Sequence, residues 1–313
     1  MDGRTDIKWY TSIRFRLSEK AQRLSRFSDD LAGIDTSHEL VATLRKGAQH
    51  AARSAKDFAD DLSTPVDLSA AANRLTADHP DKLTSLTPII AQLEKEASEA
   101  EIERAVALKT ITAAMRADGL GMGHIHFRVN AKQLHNAIRG RLDETPTLDL
   151  ASKGAMATLR RMLEEVQPLR SNFASLAIES STAIRQFLAM AQILEHVDAD
   201  TPIRMLIAEC EQPSTILAAL YFAKLFGIED KVDVSPLFET ESALELVVAS
   251  WMLCAKRSNI KPMCACVGAL AFKLVSRTQG ALSVKFQPAL PLSGFMAAWR
   301  RRSTRMASPT LPH

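Results

Sequence analysis

The chain has 313 residues, of which 46% are apolar and 24% charged, a composition that is ordinary for a globular protein and excludes a wholly disordered chain. No run of about 18 apolar residues occurs, so we expect no membrane span. The four cysteines are too few for a disulfide framework in a chain of this length, which indicates reduced thiols and a cytoplasmic location.

Charge is distributed unevenly along the chain. The last acidic residue is Glu245, and the 68 residues after it contain ten Lys and Arg and no acid. Residues 1–245 contain 29 basic and 36 acidic residues, a net charge of −7. This break predicts two regions, a folded domain over residues 1–245 and an anomalous, poorly packed basic tail over 246–313.

Most of the first region has the pattern of helices. Apolar residues recur at three- and four-residue spacing over residues 13–27, which predicts an amphipathic helix. The dipeptide at 64–65, Thr-Pro, predicts a turn. We expect one long helix over about 86–115, a short one over 133–139, and long helices over 155–196 with an interruption near Pro168.

The period changes over residues 123–130, where alternation predicts a short strand with His124, His126 and Arg128 on one face. A guanidinium group bonds two oxygens at once, so Arg128 is a candidate for binding phosphate or carboxylate, with a structural ion pair as the alternative. His124 and His126 have a spacing that permits shared metal ligation, but no third ligand is identifiable and we favour structural roles.

A strand–helix–strand unit is predicted further along the chain. Two short strand-like runs, 203–208 and 232–238, flank a helix that begins at Pro213, the arrangement of a parallel βαβ unit. Glu209 follows the first strand and Glu239 the second. Functional residues of parallel α/β folds lie at the carboxyl ends of strands, so both are candidates for Mg²⁺ binding or acid–base chemistry. A helix cap or a solvated carboxylate is the alternative for each.

The tail carries two further patterns with little functional specificity. Cys264 and Cys266 do not have zinc-ribbon spacing, so we expect no metal there. Arg300, Arg301 and Arg302 form a basic cluster without interleaved aromatic residues, which favours a solvated tail over a nucleic-acid-binding or lipid-binding segment. We therefore expect neither a nucleic-acid partner nor a membrane partner.

Three segments resemble one family. Residues 235–240, Ser-Pro-Leu-Phe-Glu-Thr, with Leu244 after them, resemble the P-L-F-E-T-x-x-x-L motif of phosphoenolpyruvate carboxylases. Residues 126–130 lie where that family commonly has D-I-R-Q-E, and residues 2–7 are similar to its D-G-N-P-N-V segment. The resemblance spans roughly residues 2–245 in consistent order and spacing.

The resemblance implies both a fold and an activity. It implies a mainly α-helical protein with a few parallel strands (α/β), in which a partial TIM-like β-barrel is surrounded by helices. The family makes oxaloacetate from phosphoenolpyruvate and bicarbonate with Mg²⁺, and its members are homo-oligomers. Carried over by motif, Glu239 is expected to be a metal ligand, and Arg128 to neutralise the anionic substrate.

Two family motifs are absent from this sequence. One is T-A-H-P-T-E, with the catalytic histidine, and the other is G-Y-S-D-S, whose aspartate is the second metal ligand. We therefore expect an internal fragment that is inactive alone. One alternative is a carboxylase subunit completed by other chains, and another is a helical scaffold that binds an acidic partner through its basic tail.

A shifted reading frame is our hypothesis for the tail. Permitted codons for residues 270–280 encode, in a shifted frame, a sequence that resembles G-Y-S-D-S at about the expected distance from residue 239. The same shift would account for the loss of acidic residues after Glu245. Sequencing the locus tests this hypothesis, which fails if no second frame encodes such a motif.

Overall fold

The computed structural model describes residues 8–59, 62, 64–121, 123, 125–142, 149–238 and 273–274. Within them, the helices are α1 (Trp9–Ala32), α2 (Glu39–Asp57), α3 (Pro65–Thr76), α4 (Thr87–Glu99), α5 (Ile102–Asp118), α6 (Ala131–Arg139), α7 (Lys153–Glu165), α8 (Phe173–Ile178), α9 (Thr182–His196) and α10 (Pro213–Leu225). The strands are β1 (Ile125–Asn130), β2 (Ile203–Ala208), β3 (Val232–Phe238) and β4 (Lys273–Leu274). None of the helices in these ranges is long and apolar enough to cross a membrane.

The first helices form a bundle with its own core. The second half of α1 packs with α2, α4 and α5 around buried side chains that include Leu24, Phe27, Leu44, Leu93 and Leu108. The first half of α1 instead contributes to the core beneath the sheet. This helix therefore joins the bundle to the sheet, as its long apolar stripe predicts.

The strands form one parallel sheet in the order β1-β2-β3-β4. In its register Phe127 pairs with Met205 and Met205 with Val234. Helix α10 connects β2 to β3, so the predicted βαβ unit is confirmed. The described strands form an open sheet rather than a barrel, since closure needs about eight strands.

The two faces of the sheet differ in polarity. Side chains on one face enter the core shared with α6, α9 and α10, and these are Phe127, Val129, Ile203, Met205, Ile207, Val232 and Val234. Because side chains alternate along a strand, the opposite face carries His126, Arg128, Arg204, Leu206, Asp233 and Ser235. We call this the polar face.

The single helix predicted over 86–115 is wrong. Two helices, α4 and α5, occupy this region, because Ala100 is extended at φ −91° and ψ 160°. The apolar stripes of both helices enter the same core, through Leu93 in α4 and Leu108 in α5. A straight helix of this length would carry the second stripe away from that core, so packing decides the break.

Two smaller expectations are also corrected. Thr64 and Pro65 begin a helix rather than a turn, since Thr64 Oγ1 accepts a hydrogen bond from the backbone N–H of Asp67 and Pro65 occupies the first turn. This is the position where proline costs a helix nothing. The region 155–196 contains three helices, and its interruption extends well beyond Pro168.

A buried ion pair connects α1 to the loop before β2. Arg16 donates from Nε and Nη2 to Asp198 Oδ2 at 3.1 and 2.5 Å, and from Nη1 to the carbonyl oxygen of Gly123 at 3.3 Å. One turn later, Lys20 Nζ donates to the carbonyl oxygen of Val197 at 2.7 Å. Burial lowers the pKa of Lys20 to about 8. These contacts fix α1 against the amino-terminal end of the sheet.

Candidate functional site

The carboxyl edge of the sheet is where β1 and β2 end. Helix α6 begins directly after β1, and α10 begins five residues after β2. Both helices therefore begin near this edge, and unpaired N–H groups at helix N-termini favour negative charge. In parallel α/β folds this edge is also where ligands bind.

Asn130 and Glu209 are connected across this edge. Asn130 Nδ2 donates to Glu209 Oε2 at 2.6 Å, while Asn130 Oδ1 accepts from the backbone N–H of Lys132 at 2.8 Å and caps α6. Glu209 has φ 54°, the left-handed region that residues other than glycine rarely adopt. The strand end thus holds an exposed carboxylate in a strained backbone conformation, of the kind that clusters at functional sites.

Arg128 lies on the polar face near the same edge. It is half-buried, two residues before the end of β1, and it pairs with Leu206, which pairs with Ser235. The row before it contains His126, Arg204 and Asp233. The strand and the shared face predicted for His126 and Arg128 are confirmed, whereas the role predicted for Arg128 stays a prediction.

A histidine and a threonine link the two helices that begin at this edge. His135 Nε2 in α6 and Thr215 Oγ1 in α10 are 2.7 Å apart. Burial lowers the pKa of His135, and the nearby charge of Arg139 lowers it further. Burial also raises the pKa of the Cys210 thiol to about 12, which excludes this cysteine as a thiolate nucleophile near neutral pH.

The lowered pKa of His135 predicts an acid-sensitive link. His135 is neutral in the folded state over a range in which an unfolded histidine, with a pKa of about 6.5, already binds a proton. Its contribution to stability is therefore complete above about pH 6.5 and is lost as the pH falls through the folded-state pKa. Urea unfolding at about pH 7.5 and about pH 5 measures this loss, which we expect to be smaller in His135→Gln. Equal losses in both proteins would contradict the assignment.

A cavity of about 510 Å³ lies away from this edge, and most of its lining is polar. It is bounded by Thr76, Asp78, His79, Pro80, Lys82, Thr84, Glu195 and His196. Helix α9 ends shortly before β2 begins, so the cavity lies toward the amino-terminal end of the strands. Lys82 Nζ donates to the carbonyl oxygens of Leu75 and Ala77 at 2.7 and 3.3 Å, which caps α3. This region therefore has a structural role in ending a helix.

Several predicted residues lie outside the described residues. Among them are Glu239, which is predicted to be a metal ligand, and His124, Cys264, Cys266, Arg300, Arg301 and Arg302. No cluster of three or more His, Cys, Asp or Glu in the described ranges is placed to hold a metal ion. At the carboxyl edge these ranges supply the Glu209 carboxylate, so the described donors alone do not make a Mg²⁺ site.

Two residues of the polar face were not predicted from the sequence. Arg204 and Ser235 lie within runs that the pattern marks only as apolar strands. Residues 232–235 alternate between valine and a polar residue, and Arg204 is a single charged residue within the apolar run 203–207. Both signals could have indicated a second face with polar contacts, because side chains alternate along a strand.

Together these features define a parallel α/β protein with a candidate anion-binding face. A parallel α/β sheet, backed by helices on its apolar face, has an arginine-bearing polar face and a carboxyl edge at which helices begin. The family model for phosphoenolpyruvate carboxylase matches residues 26–254, so the chain belongs to the phosphoenolpyruvate carboxylase family. A comparison with curated proteins found no match. The matched range extends past Glu245, where the charge distribution changes.

Proposed function

We propose that the carboxyl edge and polar face bind the anionic reactants of the family, phosphoenolpyruvate and bicarbonate, and that oxaloacetate formation is the reaction this site serves. The observation that carries the proposal is the position of Arg128. By resemblance it corresponds to the arginine of the family's D-I-R-Q-E motif, and it lies on the polar face close to the carboxyl edge. A bidentate guanidinium suits both phosphate and carboxylate groups.

Each residue has a defined role in this proposal. Arg128 holds an anionic group of the substrate and fixes its orientation on the sheet, with support from the positive ends of α6 and α10. Glu239, the residue after β3, is proposed as a Mg²⁺ ligand because carboxylate oxygens are the ligands this ion prefers. When bound, Mg²⁺ would stabilise negative charge on the phosphate and enolate oxygens.

Binding and turnover are expected to separate in the purified chain. We expect phosphoenolpyruvate to bind but little oxaloacetate to form, because the T-A-H-P-T-E and G-Y-S-D-S motifs are absent from the sequence and catalytic groups act as a unit. Calorimetry measures the binding, and a coupled assay measures the oxaloacetate. Arg128→Gln is expected to weaken binding by about tenfold to a hundredfold, the usual worth of a charged hydrogen bond.

The matched control is Arg26→Gln, which removes an exposed arginine of α1 and is expected to leave affinity unchanged. Equal affinity in Arg128→Gln and wild type would contradict the role of Arg128. Oxaloacetate formation that is lost in Glu239→Gln would show that the chain works alone and overturn the expectation of inactivity.

Family membership supports two broader proposals, a cytoplasmic location and a homo-oligomeric assembly. Light scattering of the purified chain measures the assembly, and a monomeric mass would contradict the second proposal.

A further inference from the structure

Two buried hydrogen-bonding atoms on the polar face have no partner within the described part of the chain. They are Arg204 Nε and Ser235 Oγ, and Ser235 is only 1% exposed. Buried polar atoms in native proteins are nearly always hydrogen-bonded. The other two such atoms in the described part are the side-chain amide oxygens of Gln186 and Gln192 on α9. Arg204 Nε and Ser235 Oγ are therefore the two that lie on the polar face of the sheet.

The sheet register brings these atoms to neighbouring rows. Arg204 pairs with Asp233, and two residues further along each strand Leu206 pairs with Ser235. Arg128 lies in the same row as Ser235, on the other side of Leu206. Diagonal neighbours on one face of a sheet are about 7–8 Å apart, within reach of long side chains. One ligand can therefore contact Arg204 and Ser235 together.

The chemistry of these groups selects an acceptor. A guanidinium Nε–H can only donate, and a serine hydroxyl can donate as well. Asp233 Oδ2 lies 3.7 Å from Arg204 Nη2, which is too long for a hydrogen bond. Arg204 Nε has no hydrogen-bond partner in the described part of the chain either. The register places Arg128, Arg204 and Asp233 on this face, which is two positively charged side chains and one negatively charged one. An oxyanion meets both the donor and the charge requirement.

We propose that Arg204 and Ser235 form an oxyanion subsite beside Arg128, which takes a phosphate or carboxylate group. Ser235 lies in the same row as Arg128, and Arg204 lies one row further from the carboxyl edge. It rests on the proposed function in one respect, since the family's reactants carry such groups, but its occupancy does not depend on turnover.

Binding of inorganic phosphate to the full chain tests the proposal. Calorimetry is expected to show saturable binding, and phosphate is expected to raise the midpoint of thermal unfolding. Ser235→Ala and Arg204→Gln are each expected to weaken phosphate binding by about tenfold or more. Without phosphate, Ser235→Ala is expected to unfold at the same or a higher temperature than wild type, because it removes an unpaired buried hydroxyl.

Two control variants separate the subsite from general effects. Ser28 is also buried, but its Oγ donates to the carbonyl oxygen of Val41 at 3.0 Å, so Ser28→Ala is expected to lower the unfolding temperature and leave phosphate affinity unchanged. Arg26→Gln removes an arginine whose Nε lies 3.7 Å from Asp30 Oδ2 on the exposed side of α1, and it is likewise expected to leave affinity unchanged. Phosphate also stabilises proteins by exclusion from their surface, and this effect is common to all variants.

A parallel titration with acetate distinguishes the two ligand groups. Stronger binding of phosphate assigns the subsite to a phosphate group, and stronger binding of acetate assigns it to a carboxylate. The proposal is overturned if neither anion binds, or if Ser235→Ala and Arg204→Gln bind as tightly as the controls. None of these readouts uses oxaloacetate, so an inactive chain that binds phosphate supports the subsite even where the proposed function fails.

Discussion

Asp198→Ala is expected to lower the free energy of unfolding by about 3–5 kcal/mol, because it leaves the buried Arg16 guanidinium without its anionic partner. The side chains of Arg16 and Asp198 are 2% and 1% exposed. Asp198 Oδ1 also accepts the backbone N–H groups of Asp200 and Thr201, each at 3.1 Å. Asp198→Ala therefore removes the carboxylate that pairs with Arg16 of α1. It also removes the acceptor of the two backbone hydrogen bonds in the turn before β2.

Urea unfolding followed by circular dichroism measures this loss. Asp30→Ala is the matched control, since it removes an ion pair with Arg26 whose side chains are 69% and 47% exposed, and we expect it to cost less than about 1 kcal/mol. A similarly small loss in Asp198→Ala would contradict the prediction. It would show that Glu19, whose Oε2 lies 3.3 Å from Arg16 Nη1, compensates for the missing carboxylate.

Local patterns predicted the strands better than the breaks between helices. Residues 203–208 and 232–238 are short apolar runs bounded by turn residues, and both proved to be strands with the predicted bounds. Proline and glycine similarly marked the ends of α10. The break at Ala100 has no such local signal, because it results from two helices packing into one core. Closure of a barrel depends on contacts among many strands, which no local pattern determines.

The parts of the candidate site that were predicted from the sequence are those that the residue pattern of a single strand determines. Alternation of polar and apolar residues in β1 identified the face on which Arg128 lies. The predicted end of β2 at residue 208 placed Glu209 at the carboxyl end of that strand. Contacts between distant residues were missed, such as the hydrogen bond from Asn130 to Glu209, which lie 79 positions apart. Such a contact depends on the register between two strands, which a single sequence does not give.

Gly121→Ala is the second substitution expected to have a large effect, and it acts through the same ion pair. A Cβ atom on Gly121 would lie 1.8 Å from Arg16 Nη1 and 2.3 Å from Arg16 Cζ, far inside van der Waals contact. The guanidinium must move to make room, and in moving it loses Asp198. We therefore expect a loss of about 3 kcal/mol or more, close to that of breaking the pair directly. Urea unfolding measures this loss.

Gly154→Ala provides the matched control, because a Cβ atom there meets nothing within 4 Å. Gly154 lies in α7, where alanine is favoured over glycine by up to about 1 kcal/mol, so this variant is expected to be neutral or more stable. The double variant Arg16→Ala, Gly121→Ala then identifies the mechanism. Once the guanidinium is absent, adding Gly121→Ala is expected to cost less than about 0.5 kcal/mol, a strong departure from additivity. An additive loss would show that Gly121 is required for its backbone rather than for the space it leaves to Arg16.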